Sequence, residues 1–506
     1  MTVTVFEHDH LLSERAKARS FSHFSQGPTD GAPEGFKPHP KPLALHWGMP
    51  NPGFFPIDSI DVNLVDYPFQ KSLSLPTTNA SVESLIPQGK STGRSVTIAK
   101  KEDDADIIDI SRGLQYSEVE GLPQLRQFAR DFIKRTHAPA YSDWDVIITT
   151  GAGDGLNKSA DLILDPEDVI LIEEFTFSPF LSNVRANGGI AVPLKLNLDA
   201  ESGPLGLDID YLQNLLENWS ELKPGLKKPK AIYTIPTGQN PTGVTQPVEL
   251  RRKVYDLAVK HDFIILEDDP YGYLALPKYS KPEGLLRLGQ FLEIDEYLES
   301  HLTPSYLTLD TTGRVVRIET FSKLFAPGLR LGFIVAQKRA IDVIGKYAAL
   351  VTRSPSGTSQ LIVQNVIQKK FGGVDGWIEW ILKMRVTYAH RRDVLLSQFY
   401  ESDAYKKGYL DVIDPSAGMF ASVIIKFPEG TTDADAKTKL LNWKFVAFGV
   451  GVVPGANMAV DKDFSAERSN FYRITFAPAN DDEELTEAGQ RFVGAVEEFF
   501  EKGLKF

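Results

Sequence analysis

Two patterns of apolar and polar positions alternate along the middle of the chain. Short, almost continuously apolar runs predict buried strands, and between them apolar residues three or four positions apart predict helices. Runs without polar alternation are typical of parallel strands that helices cover on both faces. The pattern therefore predicts an α/β fold built on a mostly parallel sheet. The predicted strands are 144–150, 168–173, 190–194, 230–235, 263–267, 314–318 and 331–336. The predicted helices are 122–135, before the first strand, and 209–219 and 247–261, between later strands.

The pattern changes after about residue 340, where helices and strands no longer alternate regularly. A long helix at 377–400, strands at 418–425 and 471–476 and a final helix predict a separate, smaller α+β domain. We therefore expect three parts: 1–110, an N-terminal arm with part of the small domain; 111–365, the large domain; and 366–506, the C-terminal small domain.

The start of the chain gives weaker signals. Residues up to about 42 are rich in Pro, Gly, Ser and His, which predicts an arm or a poorly ordered tail. A short strand then begins at Leu43 and enters a loop stiffened by prolines. Residues 87–104 are polar and predict an insertion loop.

Composition narrows the class of protein. The 506 residues contain 42% hydrophobic residues and no cysteine, so a large core is expected, without disulfides or a thiolate metal site. The formal net charge of −12 disfavours nucleic acid as a partner. No apolar run reaches transmembrane length, and Glu7, Asp9 and Glu14 argue against a transit peptide. We expect a soluble cytoplasmic enzyme with neither a membrane partner nor a metal ion.

Lys323 occupies an unusual position, on a short turn between two predicted core strands. A partly desolvated amine is easier to deprotonate and therefore more nucleophilic. Thr320 and Ser322 precede it and Arg330 follows, which together can supply hydroxyls and a guanidinium to a phosphate. The simpler alternative is a surface hairpin with a solvated lysine. The functional alternative is a Schiff-base lysine of a pyridoxal phosphate (PLP) enzyme.

Other polar clusters also follow predicted strands, where α/β proteins bind their ligands. A glycine-rich turn, 151–155, can present backbone N–H groups to an anion. A dinucleotide-binding motif would need glycine at 156, where Leu156 stands, so a single phosphate fits better. The sequences Asn240-Pro241-Thr242-Gly243 and Asp268-Asp269-Pro270-Tyr271 follow two further strands.

These motifs, with Tyr472-Arg473, together resemble the fold-type I PLP-dependent aminotransferases, and in particular the yeast and fungal aromatic aminotransferases I and II of the kynurenine/2-aminoadipate group. The resemblance extends from about Leu45 to the C-terminus and implies a seven-stranded sheet in a PLP-binding large domain. The segments that carry the closer resemblance are 144–147, 173–177, 267–274, 320–323 and 354–360.

The resemblance implies the catalytic roles. Lys323 would bind PLP covalently, and its amine would then move the proton between the substrate Cα and the cofactor. Asp268 would pair with the pyridine nitrogen, with Asp269 as the neighbouring alternative. Asn240 and Tyr271 would hydrogen-bond the cofactor's 3′ oxygen.

The resemblance also implies how the phosphate and the substrate are bound. Phe177 would stack on the pyridine ring, and Tyr116 would reach the phosphate from the other subunit of a homodimer. Arg473 would bind the substrate α-carboxylate, with Asn240 beside it and with Gly48 and Met49 covering the substrate. The phosphate donors would be Thr320, Ser322, Arg330 and the backbone N–H groups of Ala152 and Gly153.

Mostly aromatic and apolar segments would line the side-chain pocket, and Arg353 is the one cation among them. We therefore expect transamination of phenylalanine, tyrosine and tryptophan, with phenylpyruvate or 2-oxoglutarate as acceptor. The alternatives are a 2-aminoadipate or kynurenine aminotransferase, a PLP-dependent lyase or synthase, and a regulator that uses this fold to bind a ligand. The pocket segments are 47–55, Tyr116, 175–180 and 353–358.

Overall fold

The computed structural model describes residues 8–20, 31–43, 48–65, 68, 95–199, 203–282, 292–431 and 433–506. Residues 44–47, which hold most of the strand predicted from Leu43 and also Trp47, lie outside these ranges, as do residues 87–94 of the predicted insertion loop.

Within the described residues, helices follow the predicted positions closely in the middle and last third of the chain. They are α1 (Glu14–Ala18), α2 (Ile110–Gly113), α3 (Pro123–Thr136), α4 (Ala152–Ile163), α5 (Pro179–Ala186), α6 (Ile209–Glu217), α7 (Trp219–Leu222), α8 (Val248–His261), α9 (Ile294–Ser300), α10 (Lys338–Val351), α11 (Gly357–Val366), α12 (Val374–Tyr400), α13 (Asp403–Lys406), α14 (Ala434–Ala447) and α15 (Asp482–Glu501).

The strands of the described residues form two larger and two smaller sheets. They are β1 (Ser59–Asn63), β2 (Ser95–Ala99), β3 (Trp144–Thr149), β4 (Val169–Glu173), β5 (Ile190–Leu194), β6 (Leu196–Asn197), β7 (Gly206–Leu207), β8 (Pro229–Thr234), β9 (Ile264–Asp268), β10 (Val315–Thr320), β11 (Gly332–Gln337), β12 (Leu410–Ile413), β13 (Phe420–Ile425), β14 (Val453–Pro454) and β15 (Phe471–Thr475).

The main sheet has seven strands in the order β3-β11-β10-β9-β8-β4-β5. Only β11 runs antiparallel to its neighbours, β10 and β3, and the other paired strands are parallel. The mostly parallel, seven-stranded sheet is therefore confirmed. Because the parallel strands share one direction, the residues that follow β3, β4, β8, β9 and β10 meet at one edge of the sheet.

The last third of the chain builds the second sheet, which is antiparallel with the order β12-β13-β15-β14. The helices α12 and α15 pack together beside it, with Phe399 and Phe492 in edge-to-face contact at 5.2 Å between ring centroids. This arrangement agrees with the smaller α+β unit expected there. We retain the division at 110 and 365 as a proposal.

One prediction for the first hundred residues is wrong, and for another the structure selects one of the two predicted alternatives. Residues 95–99 are a strand and not a loop, because β2 pairs antiparallel with β1 and buries Val96 and Ile98. Residues 8–20 form an arm and not a poorly ordered tail. Leu12 is fully buried, and the Ser13 backbone N–H donates to the Leu162 carbonyl at 2.8 Å.

The arm also explains the basic residues near the start of the chain. Arg19 donates to the Asp161 carboxylate at 2.7 Å, and Arg15 lies 3.3 Å from the same carboxylate. These contacts fix the arm to α4.

Among the described helices, none is long and apolar enough to cross a membrane.

Candidate active site

Lys323 lies on the turn that joins β10 to β11, as predicted, and its side chain is half-buried. Aromatic packing fixes this turn to the core, since the buried Phe321 ring contacts those of Phe128, Phe333 and Trp377. Burial lowers the pKa of the Lys323 ammonium, and the positive charges of Arg330 and Arg473 lower it further. A larger fraction of the amine is therefore neutral, and so nucleophilic, than for a solvated lysine.

The predicted phosphate donors meet around this turn. The Ser322 backbone N–H donates to Thr320 Oγ1 at 3.1 Å, and Thr320 Oγ1 donates to Ser322 Oγ at 2.9 Å. Arg330 adopts a positive φ of 49°, and its Nη1 lies 3.5 Å from Ser322 Oγ. These contacts bring two hydroxyls and a guanidinium together beside Lys323.

The glycine turn lies against the same arginine. An ideal Cβ at Gly151 would be 2.5 Å from Arg330 Nη2, so only glycine allows this approach. Gly151 has a positive φ of 78° and precedes α4, whose first residues are Ala152 and Gly153. The N-terminus of a twelve-residue helix, with its free N–H groups, therefore lies next to Arg330.

Asp268 ends β9 and is 4% exposed. Its Oδ2 accepts a hydrogen bond from the Tyr233 hydroxyl at 2.7 Å, while its buried Oδ1 has no hydrogen-bond partner among the described residues. Burial raises the pKa of Asp268 to about 7, although the hydrogen bond from Tyr233 opposes this rise. A cationic N–H group at Oδ1 would satisfy the oxygen and restore the charged form.

Asp269, the neighbouring alternative, has a different environment. Its Oδ2 accepts from Arg317 Nη1 at 2.9 Å, and both side chains are almost fully buried. Glu267 and Glu319 contact the same guanidinium at 2.9 and 2.7 Å. Asp269 is therefore ion-paired with a buried guanidinium through Oδ2, whereas Asp268 has no ion pair among the described residues, although Oδ1 of Asp269 also lacks a hydrogen-bond partner there.

Arg473, Asn240 and Tyr271 form one connected group. Arg473 Nη1 donates to Asn240 Oδ1 at 2.7 Å, and the guanidinium lies 4.4 Å from the centre of the Phe420 ring. Tyr271 meets the same ring edge to face at 5.7 Å. Burial and the nearby Asp268 raise the pKa of Tyr271, while Arg473 opposes this rise. The three predicted residues thus lie together, with Phe420 between the phenol and the guanidinium.

The remaining predicted residues lie apart from this group. Phe177 follows β4 and is half-buried. Gly48 and Met49 are exposed, and Tyr116 has 71% of its surface exposed. Their loops touch each other, since Gln115 Nε2 donates to the Pro50 carbonyl at 2.7 Å. No described contact joins Gly48, Met49 or Tyr116 to Lys323 or Arg473.

Sequence reasoning did not identify Tyr233 and Phe420. Both lie inside apolar strands, where an aromatic residue is expected in the core. The one feature of the sequence that could have identified them was the strand on which each of them lies. Tyr233 is on β8, the neighbour of β9, and Phe420 is on β13, which pairs with β15. Only the strand register shows that each of them contacts a site residue.

The comparison with protein families shows to which family the chain that carries these site residues belongs. The model of the class I and II aminotransferases matches residues 85–492 of the chain. The chain belongs to this aminotransferase family. The predicted resemblance and the aminotransferase fold are therefore confirmed.

Individual relatives of this family agree with the assignment. Aromatic amino acid aminotransferase 2 of Saccharomyces cerevisiae is 41% identical over 483 aligned positions, and the match covers 91% of each chain. The crystal structure of the aromatic aminotransferase Aro9 from C. albicans has a TM-score of 0.89 at 58% identity and covers 98% of this chain and 99% of its own. The aminotransferase Aro8 from Candida albicans is 28% identical, with a TM-score of 0.81 and the same coverage.

Proposed function

We propose that this aminotransferase uses PLP to move the amino group of phenylalanine, tyrosine or tryptophan to a 2-oxo acid such as phenylpyruvate or 2-oxoglutarate. The relatives named as aromatic aminotransferases support the choice of substrate. The observation that carries the proposal is the unpartnered Asp268 Oδ1, buried at the edge of the main sheet where Lys323 also lies, with Arg473 of the second sheet close enough to lower the pKa of Lys323.

The residues present fit PLP at each of its polar groups. The unpartnered Asp268 Oδ1 suits the N–H of a protonated pyridine ring. Arg330, Ser322 and Thr320 lie together, and Gly151 lets the N-terminus of α4 approach the Arg330 guanidinium, so these groups together suit a phosphate. This donor set is more specific than a generic anion site because an amine of lowered pKa stands beside it.

When bound, PLP would supply an aldehyde for Schiff-base chemistry and a ring that accepts electrons. Lys323 would hold it covalently and, once exchanged for the substrate amine, would move a proton from the substrate Cα. Asp268 would keep the ring nitrogen protonated. Asn240 and Tyr271 would hold the 3′ oxygen, and Phe177 would lie against the ring face.

Arg473 would bind the substrate carboxylate with its planar guanidinium. Its Nη1 is held by Asn240 and its face lies over Phe420, which leaves the other nitrogens for a carboxylate. Burying a phenyl or indole ring of the substrate would contribute about 2 kcal/mol or more. Gly48 and Met49 would cover that ring.

We also propose a homodimer whose two sites are shared between subunits. Tyr116 and the loop 353–360 would reach the partner's cofactor, with Tyr116 at its phosphate. The exposed apolar residues Leu350 and Val351, which precede Arg353, support an interface there because they are 63% and 61% exposed.

The proposal is tested by adding phenylalanine to the purified, PLP-loaded protein without any 2-oxo acid. We expect one phenylpyruvate per site, a change in the cofactor's absorption spectrum and no ammonia, because the amino group stays on the cofactor. Subsequent addition of 2-oxoglutarate should restore the first spectrum and release glutamate. Continuous formation of ammonia or of a cleaved side chain would instead indicate a lyase and contradict the proposal.

A further inference from the structure

Glu174, which follows β4, carries a fully buried carboxylate with an unusually complete set of partners. Arg468 Nε donates to its two oxygens at 2.9 and 3.1 Å, and Arg468 Nη2 donates to Oε2 at 2.9 Å. The Leu196 backbone N–H donates to Oε1 at 2.7 Å. Such a forked pair fixes direction as well as distance. It joins the end of β4 to the segment that leads into β15.

Backbone contacts reinforce this junction. The Thr176 N–H donates to the Met458 carbonyl at 3.0 Å, and the Val460 N–H donates to the Glu174 carbonyl at 2.8 Å. Phe175 and Ala459 form an antiparallel bridge between these two hydrogen bonds. Residues 174–176 and 458–460 are thus paired like two short strands, and the Glu174–Arg468 ion pair locks them from the side.

The paired segment 174–176 leads directly into the active site, and the ion pair connects it to the segment that leads into β15. Phe177 is two residues beyond Phe175, and Arg473 is five residues beyond Arg468. The rings of Phe175 and Phe471 meet edge to face at 4.9 Å, so β15 packs on the end of β4 just before Arg473. The position of Arg473 therefore depends on this junction through the rigid strand β15.

A second connection closes a ring of contacts. Gln239 Nε2 donates to the Phe175 carbonyl at 2.6 Å. The next residue, Asn240, accepts the hydrogen bond from Arg473. Arg473 is thus held from two directions, through β15 and through Asn240, and both routes start at the residue next to Glu174.

We propose that Glu174 and Arg468 are positioning residues that hold Arg473 in place before substrate binds, so that the α-carboxylate site is preformed. The proposal rests on the proposed function, in which Arg473 binds the substrate carboxylate. A displaced Arg473 would hold the carboxylate less well in the ground state and in the transition state alike, which raises KM without lowering kcat. A preformed site also avoids the loss of affinity that ordering a mobile guanidinium would cause.

The test compares Arg468→Lys, Glu174→Gln and the double variant Glu174→Gln/Arg468→Met with the wild type. The double variant leaves no buried charge unpaired, and for that reason it carries the main comparison. The matched control is Arg126→Met. Arg126 is also 27% exposed and pairs with a buried carboxylate, that of Asp145 at 2.5 Å, but at the opposite end of β3 from Gly151.

The readouts are the KM for phenylalanine, the calorimetric Kd of 3-phenylpropionate on the PLP-loaded protein, the affinity for PLP and the melting temperature. In the double variant we expect KM and Kd to rise together by about tenfold, with kcat changed by less than about twofold. PLP affinity should stay near that of the wild type. Arg468→Lys should recover part of the loss, since an ammonium keeps the charge but not the fork.

The outcomes distinguish an ion pair that positions Arg473 from one that only stabilises the fold. If the double variant melts at a lower temperature while KM and Kd equal those of the wild type and of Arg126→Met, the pair is structural and the proposal is wrong. If the double variant does not fold, Glu174→Gln and Arg468→Lys decide by the same criterion. If wild-type protein binds 3-phenylpropionate but produces no phenylpyruvate from phenylalanine, the proposed function fails, and the Kd values still test the positioning role.

Discussion

The two halves of the proposed site differ sharply in how completely one chain builds them. On the cofactor side, Asp268, Tyr271 and Asn240 are at most 8% exposed, and Asp268 and Asn240 have hydrogen-bond partners within the chain. On the side expected to bind the substrate side chain, Tyr116 and Met49 are 71% and 43% exposed. Apart from Tyr116, which we propose to reach the phosphate from a second subunit, one chain builds the first half, whereas the second half is exposed.

The difference follows from how the two halves are built. The cofactor side collects the ends of parallel strands, which one sheet brings together whatever the rest of the protein does. The open half consists of loops and a helix end whose apolar side chains are exposed in the described part of the chain. Such a surface is typical of an interface with another chain. Variants of the first half should therefore act within one subunit, whereas those of the second should act across subunits.

The largest effect should come from Lys323→Ala. Turnover of phenylalanine should fall by about 10,000-fold, because both the covalent attachment and the proton transfer would be lost. The phosphate donors would remain, so PLP should still bind. Steady-state and single-turnover assays measure the first effect, and dialysis followed by absorption spectroscopy measures the second.

A chemical label provides the control for that variant. Borohydride reduction of the PLP-loaded wild type, followed by peptide mapping, should place the cofactor on Lys323. A label on another lysine, or a Lys323→Ala protein that retains substantial turnover, would refute the assignment. Far-ultraviolet circular dichroism should show that the variant keeps its fold.

The second effect in size concerns the two adjacent carboxylates. Asp268→Asn should reduce kcat about 100-fold, since the ring nitrogen loses its anionic partner. Asp269→Asn should reduce kcat far less but destabilise the protein by about 3 kcal/mol, because it leaves Arg317 with one fewer buried partner. Equal losses of kcat in both variants would contradict the distinct roles.

The pH dependence of the protein's stability, measured without PLP, tests the proposed state of the Asp268 carboxyl. The folded-state pKa of Asp268, raised by burial to about 7, lies above its unfolded value of 3.8. Its contribution to stability is therefore fully present below the unfolded pKa and is lost as pH rises through about 7. Asp268→Asn should raise the melting temperature relative to the wild type more at pH 8 than at pH 5, and a difference independent of pH would exclude this ionisation.

A smaller effect should show that the open half is completed by a second subunit. Tyr116→Ala should weaken PLP binding and activity about tenfold, because one phosphate hydrogen bond would be lost. Mixed dimers of Tyr116→Ala with Lys323→Ala would contain one site with both residues intact. Activity in refolded mixtures should therefore exceed that of either variant alone. Mixtures that merely average the two parents would contradict a shared site.

The positions of the main-sheet strands along the chain, and the residues at their ends, could be predicted from the sequence because apolar runs and turn-forming residues are local signals. Lys323, Arg330 and Gly151 illustrate this, since each follows or precedes a strand of the main sheet. The strand β2 was missed because only Val96 and Ile98 of its five residues are buried, so no apolar run marks it.

The interactions behind the site could not be predicted for a different reason. Tyr233 contacts Asp268, Arg317 contacts Asp269 and Arg468 contacts Glu174 across 35, 48 and 294 positions of the chain. No spacing in the sequence indicates such pairs, because they depend on strand register and on the path of loops. A buried arginine within an apolar strand, as at Arg317, is the one local sign that a carboxylate must lie nearby.

The measurement that tests the central claim most directly compares kcat/KM for phenylalanine, tryptophan, aspartate and 2-aminoadipate in one buffer. An apolar pocket opposite Arg473 predicts that phenylalanine and tryptophan exceed aspartate, since a second carboxylate would lose its hydration without a fixed cationic partner. A higher value for aspartate would contradict the apolar pocket. If 2-aminoadipate had the highest value, the aromatic assignment would be wrong, and the exposed Arg353 would become the expected partner of the distal carboxylate.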